Sequence, residues 1–252
     1  LFQTGGTFAD AASPDTFATS PPLSNLGTPQ VPGPYAEFDG DTAEFEFTGA
    51  SSYTVRLLAL LSHTLQDGTS ITWKDNSGTT IASQTISRFK NRPSNSYILL
   101  DADETHTTIS CAISGAGSGT HRIGAAWASP IWGMDPLQGF RYRGQSSASI
   151  QRVDGTDWAF AGVRRRGVTF EVHGNRGEIL GVDFDGTEYS GDDFETVMQT
   201  IGQYGPLIVC PSDKSQASID ALSIYGSLDS VGNPRHLEGD VMRAEFTVVE
   251  SR

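Results

Sequence analysis

The longest unbroken apolar run in this sequence is Leu57-Leu58-Ala59-Leu60-Leu61. Every other hydrophobic stretch is short or alternates with polar residues, and Gly, Pro, Asn, Ser or Thr interrupts it. Strands need only a few residues with a period of two, whereas amphipathic helices need a longer stripe with a period near 3.6. The pattern therefore predicts a mainly all-β chain of short strands and many reversals. The 28 glycines and 12 prolines supply the turn formers. No run approaches the roughly 20 apolar residues of a membrane-spanning helix, so no membrane insertion is expected. Leu1–Asp10 shows no basic segment followed by an apolar core, and no signal peptide is expected from it.

A length of 252 residues suits one large domain or two ordinary ones. Residues 1–36 carry Pro14, Pro21, Pro22, Pro29, Pro32 and Pro34, a composition that reads as an extended arm able to drape over a neighbouring subunit. Ala43-Glu44-Phe45-Glu46-Phe47 then alternates apolar and acidic residues, which puts both rings on one face of a strand. Thr54–Leu61 reads as a central strand covered on both faces. Thr69–Lys74 and Thr79–Ile86 flank Asn76-Ser77-Gly78, a hairpin signal. Tyr97–Leu100, Thr107–Ile113 and Arg122–Ala126 complete a jelly-roll-like β-sandwich over residues 37–130.

Periodicity disappears near Pro130, Trp132 and Gly133, where the domain boundary is expected. A second β domain, β-sandwich or jelly-roll-like, is expected over 136–252. Its strands are Ala148–Val153, Trp158–Val163, Val168–Val172, Ile179–Phe184, Leu207–Cys210, Ala221–Leu228 and Val241–Val249. One helix is expected near residues 192–203. Ser190 and Asp193 form its capping pattern, Phe194, Val197, Met198 and Ile201 recur at helical spacing, and Gly202 or Gly205 with Pro206 stops it.

Thirty acidic against seventeen basic side chains give a net charge of −13, a sign that repels nucleic acid and anionic membranes. His63, His106, His121, His173 and His236 are scattered singly, without the paired spacing a zinc site needs. Asp183-Phe184-Asp185-Gly186 opens like a calcium loop, but Phe194 stands where the bidentate Glu belongs. Asp39-Gly40-Asp41 reads as a turn, with a looser calcium site as the minor alternative. Gly115–Gly119 matches neither a nucleophile elbow nor a dinucleotide fingerprint. No enzyme, metal or cofactor is expected, and Cys111 and Cys210 are expected as buried free thiols, with a bridge between the two halves as the minor alternative.

Two candidate binding features remain. Arg164-Arg165-Arg166 is the one basic cluster of an acidic chain, read either as a charged hairpin turn or as a subunit-interface patch meeting acidic surface on another copy. Trp73, Trp127, Trp132 and Trp158 are candidate stacking platforms for a sugar ring, with core packing as the plainer reading.

The order of features also resembles a group of siphophage tail-tip proteins. Leu23-Ser24-Asn25-Leu26, the acidic strand Ala43–Phe47, the run Val55–Leu65 and Ile71-Thr72-Trp73 resemble their amino-terminal module, a discoidin or galactose-binding-like jelly roll. Thr64 stands where the group has Asn. Ile123-Gly124, the helix Asp192–Ile201, Tyr204–Val209, Ile224–Leu228 and Phe246–Glu250 resemble their carboxy-terminal β domain. The resemblance implies a structural distal-tail or baseplate subunit in the virion, made in the host cytoplasm. It would form an oligomeric ring with copies of itself and join tail-tube, hub and receptor-binding proteins. The alternative expectation is a carbohydrate-binding module that adheres to a host-surface glycan.

Overall fold

The computed structural model describes residues 7–11, 17–18, 21–27, 34–87, 95–132, 141–153, 156–183, 185–202, 205–211 and 215–250. Over 141–153 and 156–166 it describes the backbone alone. The chain folds as two compact units, Leu1–Ile131 with Cys210–Ser223, and Trp132–Val209 with Ile224–Ser251. Both are built on antiparallel sheets, as the all-β reading requires. Among the described residues, no helix is long and apolar enough to cross a membrane.

Unit 1 contains β1 (Thr7–Asp10), β2 (Ala36–Asp39), β3 (Ala43–Leu61), β4 (Ser70–Asp75), β5 (Thr80–Thr85), β6 (Ser96–Ser114), β7 (Thr120–Ile123) and β8 (Ala125–Ser129). The main sheet runs β1-β3-β6-β4-β5, with β8 also paired to β3, and β2 and β7 form a separate two-stranded sheet. The two apolar segments read from sequence, Ala43–Phe47 and Thr54–Leu61, are one 19-residue strand. Its first half pairs with β1 and its second half with β8. The register against β6 shifts between Thr48 and Tyr53, where β3 passes from one partner to the other. Gly49 sits at that break because a Cβ there would lie 2.9 Å from the Ser51 carbonyl and 3.0 Å from the Tyr53 ring.

Alternation along β3 buries Ala43, Phe45 and Phe47 and turns Glu44 outward, where it accepts from Lys74 Nζ at 3.2 Å and Ser110 Oγ at 3.1 Å. Phe45 meets Trp73 edge to face, with centroids 6.1 Å apart. The expected hairpin is present: Asp75 Oδ1 accepts from the Ser77 and Thr79 amides, and these bonds, led by that of the Ser77 hydroxyl, hold its carboxyl below the ordinary range. Described parts of the proline-rich arm correct the expectation of a free extended segment. Phe8 on β1 packs on Phe47, Phe17 on Phe38, and Leu26 in a short 3-10 helix is fully buried in the same core. Three apolar side chains, spaced among the prolines, tie the arm to its own unit.

Unit 2 contains β9 (Arg141–Val153), β10 (Thr156–Asn175), α1 (Arg176–Leu180), α2 (Phe194–Ile201), β11 (Pro206–Val209), β12 (Ile224–Val231), β13 (Arg235–His236) and β14 (Val241–Glu250). The sheet order is β11-β12-β14-β10-β9, with β13 on β14. Val168, Phe170, Val172, Ala244, Phe246 and Val248 share a core with Ile179 of α1 and with Phe194 and Met198 of α2. Alternate positions of β10 and β14 thus supply the sheet's apolar face.

Three expectations need correction. The strand expected over Ile179–Phe184 is α1 followed by a turn, because Asn175 and Glu178 close a reciprocal capping box and Gly181 adopts φ +76 at the far end. The N-cap of α2 is Asp193, whose side chain accepts from the Thr196 amide at 2.9 Å, rather than Ser190. The strand expected over Ala221–Leu228 begins only at Ile224, since α3 (Gln216–Leu222) precedes it, capped by Ser215. That helix clusters with unit 1, so residues 210–223 depart from the expected 136–252 domain.

Trp73 is 1% exposed at the centre of unit 1. Trp73→Ala is expected to lower the stability of that unit by about 3–5 kcal/mol, measured as a shift in the urea unfolding midpoint.

Candidate functional sites

The tryptophans separate by burial. Trp73 is enclosed, and Trp127 on β8 is 8% exposed with its indole N–H donated to Ser129 Oγ at 2.9 Å. Neither offers a ring face to a sugar. Trp132 is half-buried, donates to the Asp192 carbonyl at 2.7 Å and lies 6.3 Å from the Phe194 ring, so it packs against the start of α2. The Trp158 side chain falls outside the described residues. The three arginines do not occupy a hairpin turn. Arg164, Arg165 and Arg166 lie within β10, opposite Ser146, Gln145 and Gly144 of β9, directly after a register shift between Ala161 and Arg164.

Polar side chains singled out as metal candidates have protein partners. Asp39 Oδ1 accepts from Thr120 Oγ1 at 2.5 Å and Asp41 Oδ1 from the Gly117 amide at 2.8 Å, which wires the β2–β3 turn to the β6–β7 loop. Asp185 accepts from the Thr187 amide at 2.9 Å. His63 Nε2 meets Ser96 Oγ, His121 meets the Gly117 carbonyl, and His106 and His173 pair with Glu104 and Glu171. Among the described residues no group of three or more His, Cys, Asp or Glu could hold a metal ion. Cys111 and Cys210 are free thiols, raised by burial, Cys111 well above its usual value and Cys210 to about 11.

A polar constellation that the sequence reading missed lies on the β2–β7 edge of unit 1. The Arg122 guanidinium stands 4.7 Å from the centroid of the Tyr35 ring, and its Nε donates to Glu37 Oε2 at 2.9 Å. The Arg122 amide donates to Thr64 Oγ1 at 2.8 Å, and Asn25 Nδ2 holds the Tyr35 carbonyl at 2.8 Å. The Arg122 side chain is 52% exposed, and its bond to Glu37 raises an already high guanidinium value further. A planar cation, a carboxylate, a phenol ring and a hydroxyl thus converge at one accessible edge. Glu37 and Arg122 are 85 residues apart in sequence, and only their pairing across β2 and β7 unites them.

A second unpredicted cluster docks α3 on the sheet of unit 1. Asp220 accepts from Gln84 Nε2 at 2.9 Å through both oxygens and from Gln216 Nε2 at 3.0 Å. Gln216 also donates to the Tyr97 carbonyl at 2.5 Å. Gln84 Oε1 is buried with no hydrogen-bond partner among the described residues.

In unit 2 an open groove of about 540 Å³ runs between α2 and the end of β12. Phe194, Met198 and Leu228 make its floor, and Glu195, Gln199 and Asp229 stand among the polar residues of its rim. Among the described residues, no Lys, Arg or His lines it.

No family model and no curated protein matches this sequence. Among solved structures, half of the chain resembles several small lectin-type modules. The lectin domain of lectinolysin in complex with Lewis B antigen has 7% identity and a TM-score of 0.41, covering 51% of this chain and 94% of that one. A Streptococcus pneumoniae fucose binding module has 11% identity and a TM-score of 0.38, covering 51% and 96%. A CBM32 module of a Clostridium perfringens GH89 protein has 11% identity and a TM-score of 0.36, covering 50% and 94%. At so low an identity and score these likenesses assign no ligand to this chain.

Burial raises the Asp220 carboxyl above its ordinary 3.8, against the opposing effect of the two glutamine amides. A carboxyl raised by folding contributes stability that is full below the unfolded value and is lost as pH rises through the folded one. In Asp220→Asn the remaining carbonyl oxygen can still accept from Gln216, and after a flip of Gln84 the new amide can donate to Gln84 Oε1. The variant is therefore expected to gain stability over wild type as the pH rises above the ordinary carboxyl value, read from unfolding midpoints at acid and at neutral pH.

Proposed function

We propose that this chain is a non-catalytic binding protein whose unit 1 recognises carbohydrate through the β2–β7 edge. The observation that carries this reading is the half-exposed Arg122 guanidinium, fixed between the Tyr35 ring and the Glu37 carboxylate. Neighbouring hydroxyls of a pyranose both donate and accept. A guanidinium can donate to two of them while a carboxylate accepts from a third, and an aromatic ring takes the apolar C–H face. Pre-fixed side chains lose little entropy on binding, which suits the modest affinity of a surface lectin site. Arg122→Ala is expected to weaken binding of fucose or Lewis b oligosaccharide at least tenfold by calorimetry, with an unchanged circular dichroism spectrum. Unaltered affinity in that variant, or no binding of any oligosaccharide on a broad glycan array, would remove the reading.

A second reading, structural assembly, is favoured by the β9–β10 ribbon. Among the described residues β10 pairs with β9 from Thr156 to Arg166, and β14 joins it from Gly167. At about 3.3 Å per residue this stretch extends roughly 35 Å beyond the rest of the sheet. Two-stranded hairpins are marginal in water by themselves, so a ribbon of this length suits a partner surface. Joined to the sequence resemblance, this reading makes the chain a ring-forming subunit of a siphophage tail tip, produced in the host cytoplasm and packaged in the virion. The two readings are compatible, since a tail-tip subunit can also adhere to host glycan. Mass spectrometry of purified virions is expected to find the chain in stoichiometric amount, and its absence there would eliminate the tail-tip form.

A further inference from the structure

We propose that the β2–β7 edge takes uncharged sugars and turns away acidic ones, with Glu37 and Asp39 as the residues that set the preference. The inference rests on the carbohydrate reading and names the substrate class of that same edge. Burial alternates along both strands. Ala36 and Phe38 on β2 and His121 and Ile123 on β7 face the core, so Glu37 and Asp39, with Thr120 and Arg122, take the outward side. Register sets Glu37 opposite Arg122 and Asp39 opposite Thr120, and the Tyr35 ring closes the row beside Arg122. Among the described residues, the outward side of these two strands therefore carries two carboxylates against one guanidinium.

That balance decides which ligand charge is tolerated. An acidic sugar would bind through the Arg122 charge, but Arg122 Nε already donates to Glu37 Oε2 at 2.9 Å. Displacing Glu37 would strip a side chain only 23% exposed of its cation, and a largely buried charge left unpaired is costly. Approach without displacement would set the sugar carboxylate beside Glu37 and Asp39, where like charges repel. Asp41, which accepts from the Gly117 amide at 2.8 Å just past the end of β2, adds a third negative group nearby. The wider field has the same sign, since the chain carries a net charge of −13. A neutral pyranose meets none of these penalties. Its hydroxyls can accept from guanidinium N–H groups other than Nε and donate to lone pairs of both carboxylates.

The test is a glycan array that carries each neutral structure beside its acidic counterpart, among them galactose with galacturonic acid, lactose with sialyllactose and Lewis a with sialyl Lewis a. Calorimetry of the full chain then measures each pair that gives a signal. Wild type is expected to bind the neutral member at least about tenfold more tightly at low ionic strength. Most of that preference is expected to vanish in about 1 M salt, where charges are screened within about 3 Å. Glu37→Gln combined with Asp39→Asn keeps side-chain shape and acceptor oxygens. It is expected to cut the preference at least about fivefold, mainly by tightening the acidic member. A misfolded variant cannot give such a gain, and either single change is expected to give part of the shift. If wild type binds both members equally, or the acidic one more tightly, the selection is overturned while the carbohydrate reading stands. An unchanged preference in the double variant, or one indifferent to salt, removes the selection as well. If wild type binds no sugar on the array, both fall.

Discussion

Unit 1 depends on a single strand that changes partners along its length. β3 pairs with β1 over Phe45–Thr48 and with β8 over Leu57–Leu61, while β6 follows it on the other side. The register against β6 shifts twice between those two parts, at Thr48/Tyr53 and at Val55/Leu57, and the first shift falls where Gly49 leaves room for the Ser51 carbonyl. A slip of one residue would turn Phe45 and Phe47 outward and bring Glu44 and Glu46 into the core. Burial of the two rings against Trp73 and Tyr53 therefore fixes the register as firmly as the hydrogen bonds do.

That use of aromatic side chains decides what is left for recognition. Rings that hold the core together cannot also stack on a ligand, and Trp73 and Trp127 are so committed. What unit 1 presents at its β2–β7 edge is instead a charged and hydroxylated cluster with one half-buried phenol ring. Unit 2 follows a different rule. Its sheet covers one face with α1 and α2, and it continues as a ribbon wherever β14 no longer accompanies β10.

Much of the strand content was legible because period-two alternation and turn formers report local backbone preference directly. Ala43–Phe47, the Asn76–Gly78 hairpin and the closing strand at Val241 are cases where local and tertiary signals agree. α1 carried a readable capping box at Asn175 and Glu178, but its five residues are too few for a helical stripe to stand out against the apolar run beginning at Ile179. Docking of α3 was not readable, because the Asp220–Gln84 pair joins residues 136 apart through both amide and carboxylate. The Tyr35–Glu37–Arg122 edge was hidden for the same reason, having no motif and existing only once β2 lies against β7. Conversely, the tryptophans and the triple arginine stood out by residue type, and residue type says little about burial or about turn against mid-strand.

The central claim is that unit 1 meets its ligand at the Tyr35–Glu37–Arg122 edge and not on a tryptophan platform. The most direct measurement is a nitrogen-15 chemical-shift titration of the isotopically labelled chain with a panel of oligosaccharides. Saturable shifts gathered at Tyr35, Glu37, Thr64 and Arg122 are the predicted result. Shifts centred on Trp132 or Trp158, or spectra left unmoved by every oligosaccharide tried, would contradict it.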